Sequence, residues 1–239
     1  MKKLIESLPE FKCRASASGN MMTNGRAKDT MGETCKKVAE EWLVGKLTGK
    51  RKQIESKYLT RGIAVEDLAI ERIARYYGVT AEKNVTQLEN DYFTGEFDVK
   101  INTEIPMIID AKSSWDAFTF PYFENEAPKV YYDQVQVYLA LTGLKKGGVA
   151  FCLENGTDEE IERLSWKIAK KAGFEEPEIE HWDEAESLLN YDHLPDEMRI
   201  KIYEFDREDA RIEAMQERVI ECRKYIKNIL IPQFPCKKN

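Results

Sequence analysis

The sequence predicts an α/β fold, and three observations support this prediction. Short β-branched segments alternate with longer segments in which apolar residues recur every three or four positions. Hydrophobic residues make up 42% and charged residues 33% of the 239 residues, a balance typical of a globular protein with one sizeable domain. No apolar run approaches the ~20 residues of a membrane span, and the N-terminus lacks a signal-peptide core. We therefore expect a cytoplasmic protein without a membrane segment.

Two helices are predicted before the first strands. Apolar spacing indicates a helix over residues 32–46 and a second over residues 61–77. In the second helix, Glu66 falls on a stripe that includes Ile63 and Ile70. A carboxylate on such a stripe could point inward and bind a metal ion, or it could lie at the stripe's edge and reach solvent.

The next segments read as strands that carry acidic residues. Residues 84–89 and 93–101 resemble a hairpin, with Asp98 between two apolar neighbours. Residues 107–112 are apolar and β-branched and should form a mostly buried strand. Because strand side chains alternate, Asp110 and Lys112 project from the same face.

A loop rich in aromatic residues follows this strand, over residues 113–133. Its rings, Trp115 among them, could stack on unpaired bases or form the loop's own small core. A helix is then predicted over residues 129–142. Gln134 and Tyr138 are one turn apart on that helix, so both can reach the same point.

The C-terminal third contains two further strands and several helices. Residues 147–153 should form a buried strand, and residues 200–205 alternate like an edge strand. Between them, residues 154–199 are predicted to form an acidic helical insertion in a single domain that spans residues 1–239. A final helix over residues 208–230 should bury one apolar face, which includes Ile229.

Charge is unevenly distributed around the net value of −7. Residues 154–221 carry 22 acids and 9 bases, whereas residues 36–61 carry eight bases and three acids. Lys50, Arg51 and Lys52 in the basic segment could contact DNA phosphates or form a solvated helix face.

The histidine and cysteine content excludes several classes of site. Five scattered cysteines without a C-x-x-C pair argue against zinc, structural disulfides and iron–sulfur clusters. Only two histidines are present, which argues against serine–histidine hydrolases and histidine-metal nucleases. Carboxylates and a lysine on neighbouring strands suit Mg²⁺ or Mn²⁺ instead. Taken alone, Asp110 and Lys112 could also be a surface ion pair.

Together these segments resemble the lambda-type (YqaJ-like) phage exonucleases of the PD-(D/E)xK nuclease superfamily. The resemblance covers approximately residues 15–153 and, more weakly, the final strand and helix. The residues that carry it are Gly62 with Glu66, Gly95 to Asp98, Asp110 with Lys112, and Tyr132 to Gly143. It implies a restriction-endonuclease-like core, with a central mixed β-sheet flanked by helices.

The resemblance also implies an activity and roles for individual residues. The activity is digestion of one strand of duplex DNA from its 5′ end, with two Mg²⁺ ions for which Mn²⁺ can substitute. Glu66, Asp98 and Asp110 would bind metal, and Lys112 would orient or deprotonate the attacking water and stabilise charge on the phosphate. Gln134 and Tyr138 would steady the site. Ser16 aligns with the segment that receives the 5′-terminal phosphate, although from the residues alone ordinary helix capping is the favoured role for Ser16. Arg14 is a further candidate DNA contact.

The best-known members of this family act as ring-shaped trimers in phage recombination, beside a single-strand annealing protein. This chain differs from the family's usual pattern in three respects. Glu96 replaces a small residue that contacts phosphate, Asp110 replaces a longer glutamate, and the acidic segment over residues 154–199 has no counterpart in compact members. The last difference leaves the ring geometry open. The alternatives are an endonuclease with this fold and a non-catalytic DNA-binding module.

Overall fold

The computed structural model describes residues 5–27, 30–50, 52 and 57–233, with side chains from residue 60 onward in the last range. A central five-stranded sheet has the order β2–β5–β6–β7–β8. Its strands are β2 (Ala81–Lys83), β5 (Val99–Ile101), β6 (Met107–Ser113), β7 (Lys146–Cys152) and β8 (Ile200–Asp206). The β6–β7 pair is parallel, and the other three pairs are antiparallel. The predicted mixed sheet is therefore confirmed.

A second, smaller sheet has the order β1–β4–β3, formed by β1 (Cys13–Arg14), β4 (Phe93–Gly95) and β3 (Leu88–Glu89). The predicted hairpin corresponds to β3 and β4, but the prediction of one continuous strand over residues 93–101 is wrong. The chain leaves the small sheet after Gly95 and enters the central sheet as β5. Asn84 holds this crossing, because its backbone N–H donates to Asp98 O (2.9 Å) and its side chain donates to Phe97 O (2.9 Å).

Helices cover both faces of the central sheet. They are α1 (Ser18–Met21), α2 (Glu33–Thr48), α3 (Lys57–Tyr77), α4 (Lys129–Thr142), α5 (Asp158–Ala172), α6 (Ile179–Leu189) and α7 (Asp209–Tyr225). On one face, Ile109 packs in a cluster with residues of α3, and on the other, Ile108 packs in a cluster with residues of α2, α4 and α7. Burial on both faces explains the continuous apolar run of β6. None of the helices in the described part of the chain has the length and hydropathy that a membrane span requires.

Two predicted helix faces are corrected by the packing. The buried stripe of α3 includes Val65, Ala69 and Ile73, whereas the predicted Ile63 is 67% exposed. At the C-terminus, Ile229 is 46% exposed, although we predicted it to be buried. It lies in a π-helical stretch, Ile226–Leu230, that follows α7. The wider turn changes the direction of side chains relative to the helix before it.

The acidic segment folds as the helical pair α5 and α6, and buried ion pairs attach it to the rest of the protein. Arg61 on α3 pairs with Glu160 on α5. Arg72 on α3 donates two hydrogen bonds to Glu154, at 2.6 and 2.8 Å. Arg199 donates to Leu153 O at 3.0 Å. The negative charge of this segment is thus partly neutralised where the segment packs against α3.

Candidate active site

Two predicted carboxylates meet where β5 pairs with β6. The register aligns Val99 with Ile109, so one residue further along Asp98 lies opposite Asp110. The Asp98 carboxylate also accepts a hydrogen bond from the backbone N–H of Ala111, at 2.6 Å. This bond anchors the Asp98 carboxylate to the backbone of the strand that carries Asp110.

Asp110 forms the buried floor of this corner, with 2% of its surface exposed. Its Oδ1 accepts hydrogen bonds from Gln134 Nε2 at 2.9 Å and from the Tyr138 hydroxyl at 3.3 Å. Gln134 Nε2 also lies 2.9 Å from the Tyr138 hydroxyl oxygen. The predicted turn spacing on α4 therefore brings both side chains to one carboxylate oxygen. Burial, followed by the charge of Asp110, raises the pKa of Tyr138, so its hydroxyl stays protonated.

The second oxygen of Asp110 faces a different environment. Oδ2 is buried and has no hydrogen bond of normal geometry within the described residues. The ammonium of Lys112 lies 2.5 Å from it, and the same ammonium is 5.6 Å from the centroid of the Tyr131 ring. Burial lowers the pKa of Lys112, but the nearby Asp110 and Asp98 carboxylates more than offset this and raise it overall. Lys112 is therefore a cation at neutral pH.

The environment of Asp98 shows an excess of negative charge at this corner. Burial, and then the charge of Asp110, raises the pKa of Asp98 to about 7, although Lys112 and the Ala111 hydrogen bond act in the opposite direction. Two adjacent carboxylates, one of them fully buried, are balanced here mainly by Lys112, and such a corner can accommodate a further cation. Oxygen donors of this kind fit Mg²⁺ or Mn²⁺.

Glu66 lies close to this corner but is not part of a ready ligand set. Its charge contributes, after burial and Asp110, to the raised pKa of Asp98. Its carboxylate lies 3.2 Å from the ammonium of Lys83 on β2, and its side chain is 32% exposed. Among the residues that the structure describes, no three His, Cys, Asp or Glu side chains are grouped as metal ligands. The structure thus brings Asp98, Asp110, Lys112, Gln134 and Tyr138 together and leaves Glu66 at the edge.

Two of the predicted DNA contacts are the chain neighbours of a residue, Ala15, that packs near Tyr138. Arg14 and Ser16 are exposed, on either side of the buried Ala15. A Cβ placed on Gly95 would come within 2.9 Å of both the Ala15 side chain and the Tyr138 ring. Ala15, Gly95 and Tyr138 are therefore in close contact, and Arg14 and Ser16 flank that contact on the surface.

The other predicted contacts are less clearly connected to the site. Lys50 is exposed, and Lys52 pairs with Glu41 at 2.7 Å. Arg51 lies outside the described residues. Trp115 lies near two guanidinium groups, 6.0 Å from Arg61 and 5.4 Å from Arg163.

The aromatic loop divides into buried and exposed rings. Phe120 is 5% exposed, and the half-buried Tyr122 packs in the same cluster with Leu153 and Tyr191. By contrast, Phe118 is 98% and Phe123 is 93% exposed. The loop therefore has a core of its own and also presents two rings to solvent.

Sequence reasoning missed two residues of this region. Lys83 lies in β2, a short strand with no clear alternation of apolar residues, so no pattern indicated that it would meet Glu66. The sequence places Tyr131 among the aromatic residues of the loop over residues 113–133 and gives it no role of its own. The signal that could have selected it is its place one turn before the predicted helix residue Gln134, on the side of the helix that faces β6.

Gly95 and Gly62 are expected to respond in opposite ways to alanine. Gly95→Ala should destabilise the protein by about 1–3 kcal/mol, because the added methyl would clash with Ala15 and Tyr138. Gly62→Ala is the matched control: no atom lies within 4 Å of its added methyl, and it lies inside α3, so a gain of about 0.5–1 kcal/mol is expected. Urea unfolding followed by circular dichroism measures both. Equal stability of Gly95→Ala and wild type would contradict the close packing.

Comparison with known proteins supports the fold. No family model and no curated protein matches the chain. A solved phage-related exonuclease from Haemophilus somnus 129PT has a TM-score of 0.75 and 23% identity, covering 95% of this chain and 99% of its own. An alkaline exonuclease from Laribacter hongkongensis has a TM-score of 0.60 and 17% identity, and the match covers 92% of this chain and 94% of that enzyme's chain. The structure of that enzyme in complex with dAMP has a TM-score of 0.60 and 18% sequence identity to this chain.

The extent of these matches bears on the acidic segment as well. Only 5% of the chain remains uncovered by the Haemophilus somnus structure, far less than the length of residues 154–199. Most of that segment is therefore matched in that protein. With the central mixed sheet flanked by helices, the chain has the fold of the phage-related and alkaline exonucleases, as the resemblance to PD-(D/E)xK nucleases predicted.

Proposed function

We propose that this chain is a Mg²⁺-dependent deoxyribonuclease that digests linear duplex DNA from the 5′ end. The observation that carries the proposal is the corner at which Asp98, Asp110 and Lys112 meet, where the ammonium of Lys112 lies 2.5 Å from the buried Oδ2 of Asp110. The fold shared with phage-related and alkaline exonucleases supports the same class of reaction.

Each residue of the corner has a role in this proposal. Asp98 and Asp110 would hold the metal, with Glu66 as a third carboxylate. When bound, divalent metal ions supply positive charge to the phosphate and lower the pKa of a water molecule. Gln134 and Tyr138 would fix the orientation of Asp110 through their hydrogen bonds to its Oδ1.

Lys112 and the adjoining surface would act directly on the DNA. As a cation beside Asp110, Lys112 would orient the attacking water and stabilise charge that develops on the scissile phosphate. Arg14 and Ser16, exposed beside the site, would receive the terminal 5′-phosphate, since an arginine and a hydroxyl are suited to phosphate binding. By the same resemblance, the chain would work in phage recombination as a homotrimer, beside a single-strand annealing protein in the host cytoplasm.

The proposal is tested with a panel of DNA substrates in the presence of Mg²⁺. Linear duplexes labelled at either end, with and without a 5′-phosphate, should lose nucleotides from the 5′ end, and closed circular DNA should remain intact. EDTA and Lys112→Ala should each abolish digestion. Cleavage of the circle would favour the endonuclease alternative. Binding of duplex DNA without any digestion would favour a non-catalytic module.

A further inference from the structure

Lys83 joins β2 to two neighbouring acidic residues of α3. Its ammonium lies 2.6 Å from the carboxylate of Asp67 and 3.2 Å from that of Glu66. The strand register aligns Lys83 with Val99, the residue that follows Asp98. This bridge therefore lies at the border of the corner that holds Asp98 and Asp110.

The Glu66 carboxylate forms an ion pair with Lys83 in this bridge. It is close enough to Asp98 to contribute to its raised pKa, after burial and Asp110, yet it does not form a ligand group with Asp98 and Asp110 in the described residues. A glutamate side chain rotates about several bonds between staggered positions, so its carboxylate can move without a shift of the helix. In the present rotamer, Lys83 neutralises it.

We propose that Lys83 is a positioning residue that holds Glu66 away from the acidic corner until a divalent cation competes for it. This inference rests on the proposed function, because it takes Glu66 as the third carboxylate of the metal site. Asp67 would retain the Lys83 ammonium after Glu66 leaves, since it lies nearer than Glu66. The side chain of Lys83 is 42% exposed, so the released ammonium would also be solvated.

Competition of this kind has a measurable consequence. Each metal-binding event must break the Lys83–Glu66 contact, so the apparent affinity is lower than that of a site with a free Glu66. The contact is partly exposed, and its loss should therefore change affinity modestly. Removal of Lys83 should tighten metal binding, whereas removal of a ligand would weaken it.

Calorimetric titration of the full chain with Mn²⁺ at pH 8, without DNA, tests this inference. Lys83→Met should bind Mn²⁺ about threefold to tenfold more tightly than wild type. Lys100→Met is the matched control, because Lys100 lies on the adjacent strand β5 and forms no ion pair within the described residues. It removes the same charge and should change affinity less than about twofold.

A double-mutant cycle separates the pair from a general charge effect. The single variant Glu66→Gln and the double variant that also carries Lys83→Met should bind Mn²⁺ with the same affinity. In both proteins the charged Glu66 carboxylate with which Lys83 pairs is already absent. If Lys83→Met binds Mn²⁺ as tightly as wild type or more weakly, this inference is overturned and the proposed function stands. The same holds if Lys83→Met still raises the affinity for Mn²⁺ in the Glu66→Gln background. Wild-type protein that binds no Mn²⁺, or binds it independently of Asp98 and Asp110, would overturn the proposed function and this inference together. Lys83→Gln, with thermal unfolding as a check of the fold, provides a second variant.

Discussion

Asp110→Asn is expected to reduce the rate of DNA digestion by about 10³-fold or more. The substitution removes the charge of the most buried carboxylate of the corner, and with it the partner of Lys112 and a metal ligand of the proposed site. Metal ions contribute several kcal/mol of transition-state stabilisation, which corresponds to roughly 10³-fold in rate. Single-turnover digestion of a linear duplex in saturating Mg²⁺ measures the effect.

The control for this substitution is Asp206→Asn at the end of β8. The Asp206 side chain is 82% exposed and pairs with Lys146 at 3.5 Å, so its replacement removes one charge from the same sheet without touching the corner. The rate of DNA digestion by Asp206→Asn should stay within about twofold of the wild-type rate, because exposed ion pairs contribute little to stability. Circular dichroism confirms that both variants fold. Wild-type rates from a folded Asp110→Asn protein would exclude the proposed site.

Asp98→Asn is expected to stabilise the metal-free protein while abolishing its response to metal. At pH 8 the wild-type carboxylate is charged beside Asp110, and burial disfavours that state. An asparagine could still accept the hydrogen bond from Ala111 and could donate one toward Asp110. We expect a gain of about 1–3 kcal/mol in the free energy of unfolding, reduced from the full pKa shift because Asp98 is partly exposed.

The gain should depend on pH in a defined direction. The pKa of Asp98 is raised from 3.8 to about 7, so between these values the folded state binds more protons than the unfolded state. Protonated Asp98 therefore supports the fold at low pH, and this contribution is lost as the pH rises through about 7. The advantage of Asp98→Asn should be absent below about pH 4 and reach its plateau above about pH 7. Urea unfolding with EDTA across this range measures it.

Addition of Mn²⁺ tests whether Asp98 is a metal ligand. A ligand that binds only the folded state raises the free energy of unfolding. Wild-type protein should therefore become more stable on addition of Mn²⁺ at pH 8, whereas Asp98→Asn should not. An asparagine variant that is less stable than wild type without metal at pH 8 would contradict the inferred repulsion. Full metal stabilisation of that variant would remove Asp98 from the proposed ligand set.

Local patterns in the sequence predicted the elements that carry the site. Helix α4 has the predicted bounds, and its turn spacing places Gln134 and Tyr138 on one oxygen of Asp110. Strand β6 places Asp110 and Lys112 on one face, as alternation requires. These features follow from periodicity, since the side on which a residue lies depends only on its position along a regular helix or strand.

The tertiary structure decided which of these side chains meet. The division of residues 93–101 between two sheets, and the register that sets Asp98 opposite Asp110, depend on strand pairing across the chain. The position of Glu66 depends on Lys83, a partner on another element with no periodic signal of its own. Periodicity assigns a face to each residue, but the contacts between faces come from long-range packing and charge, which no local segment encodes.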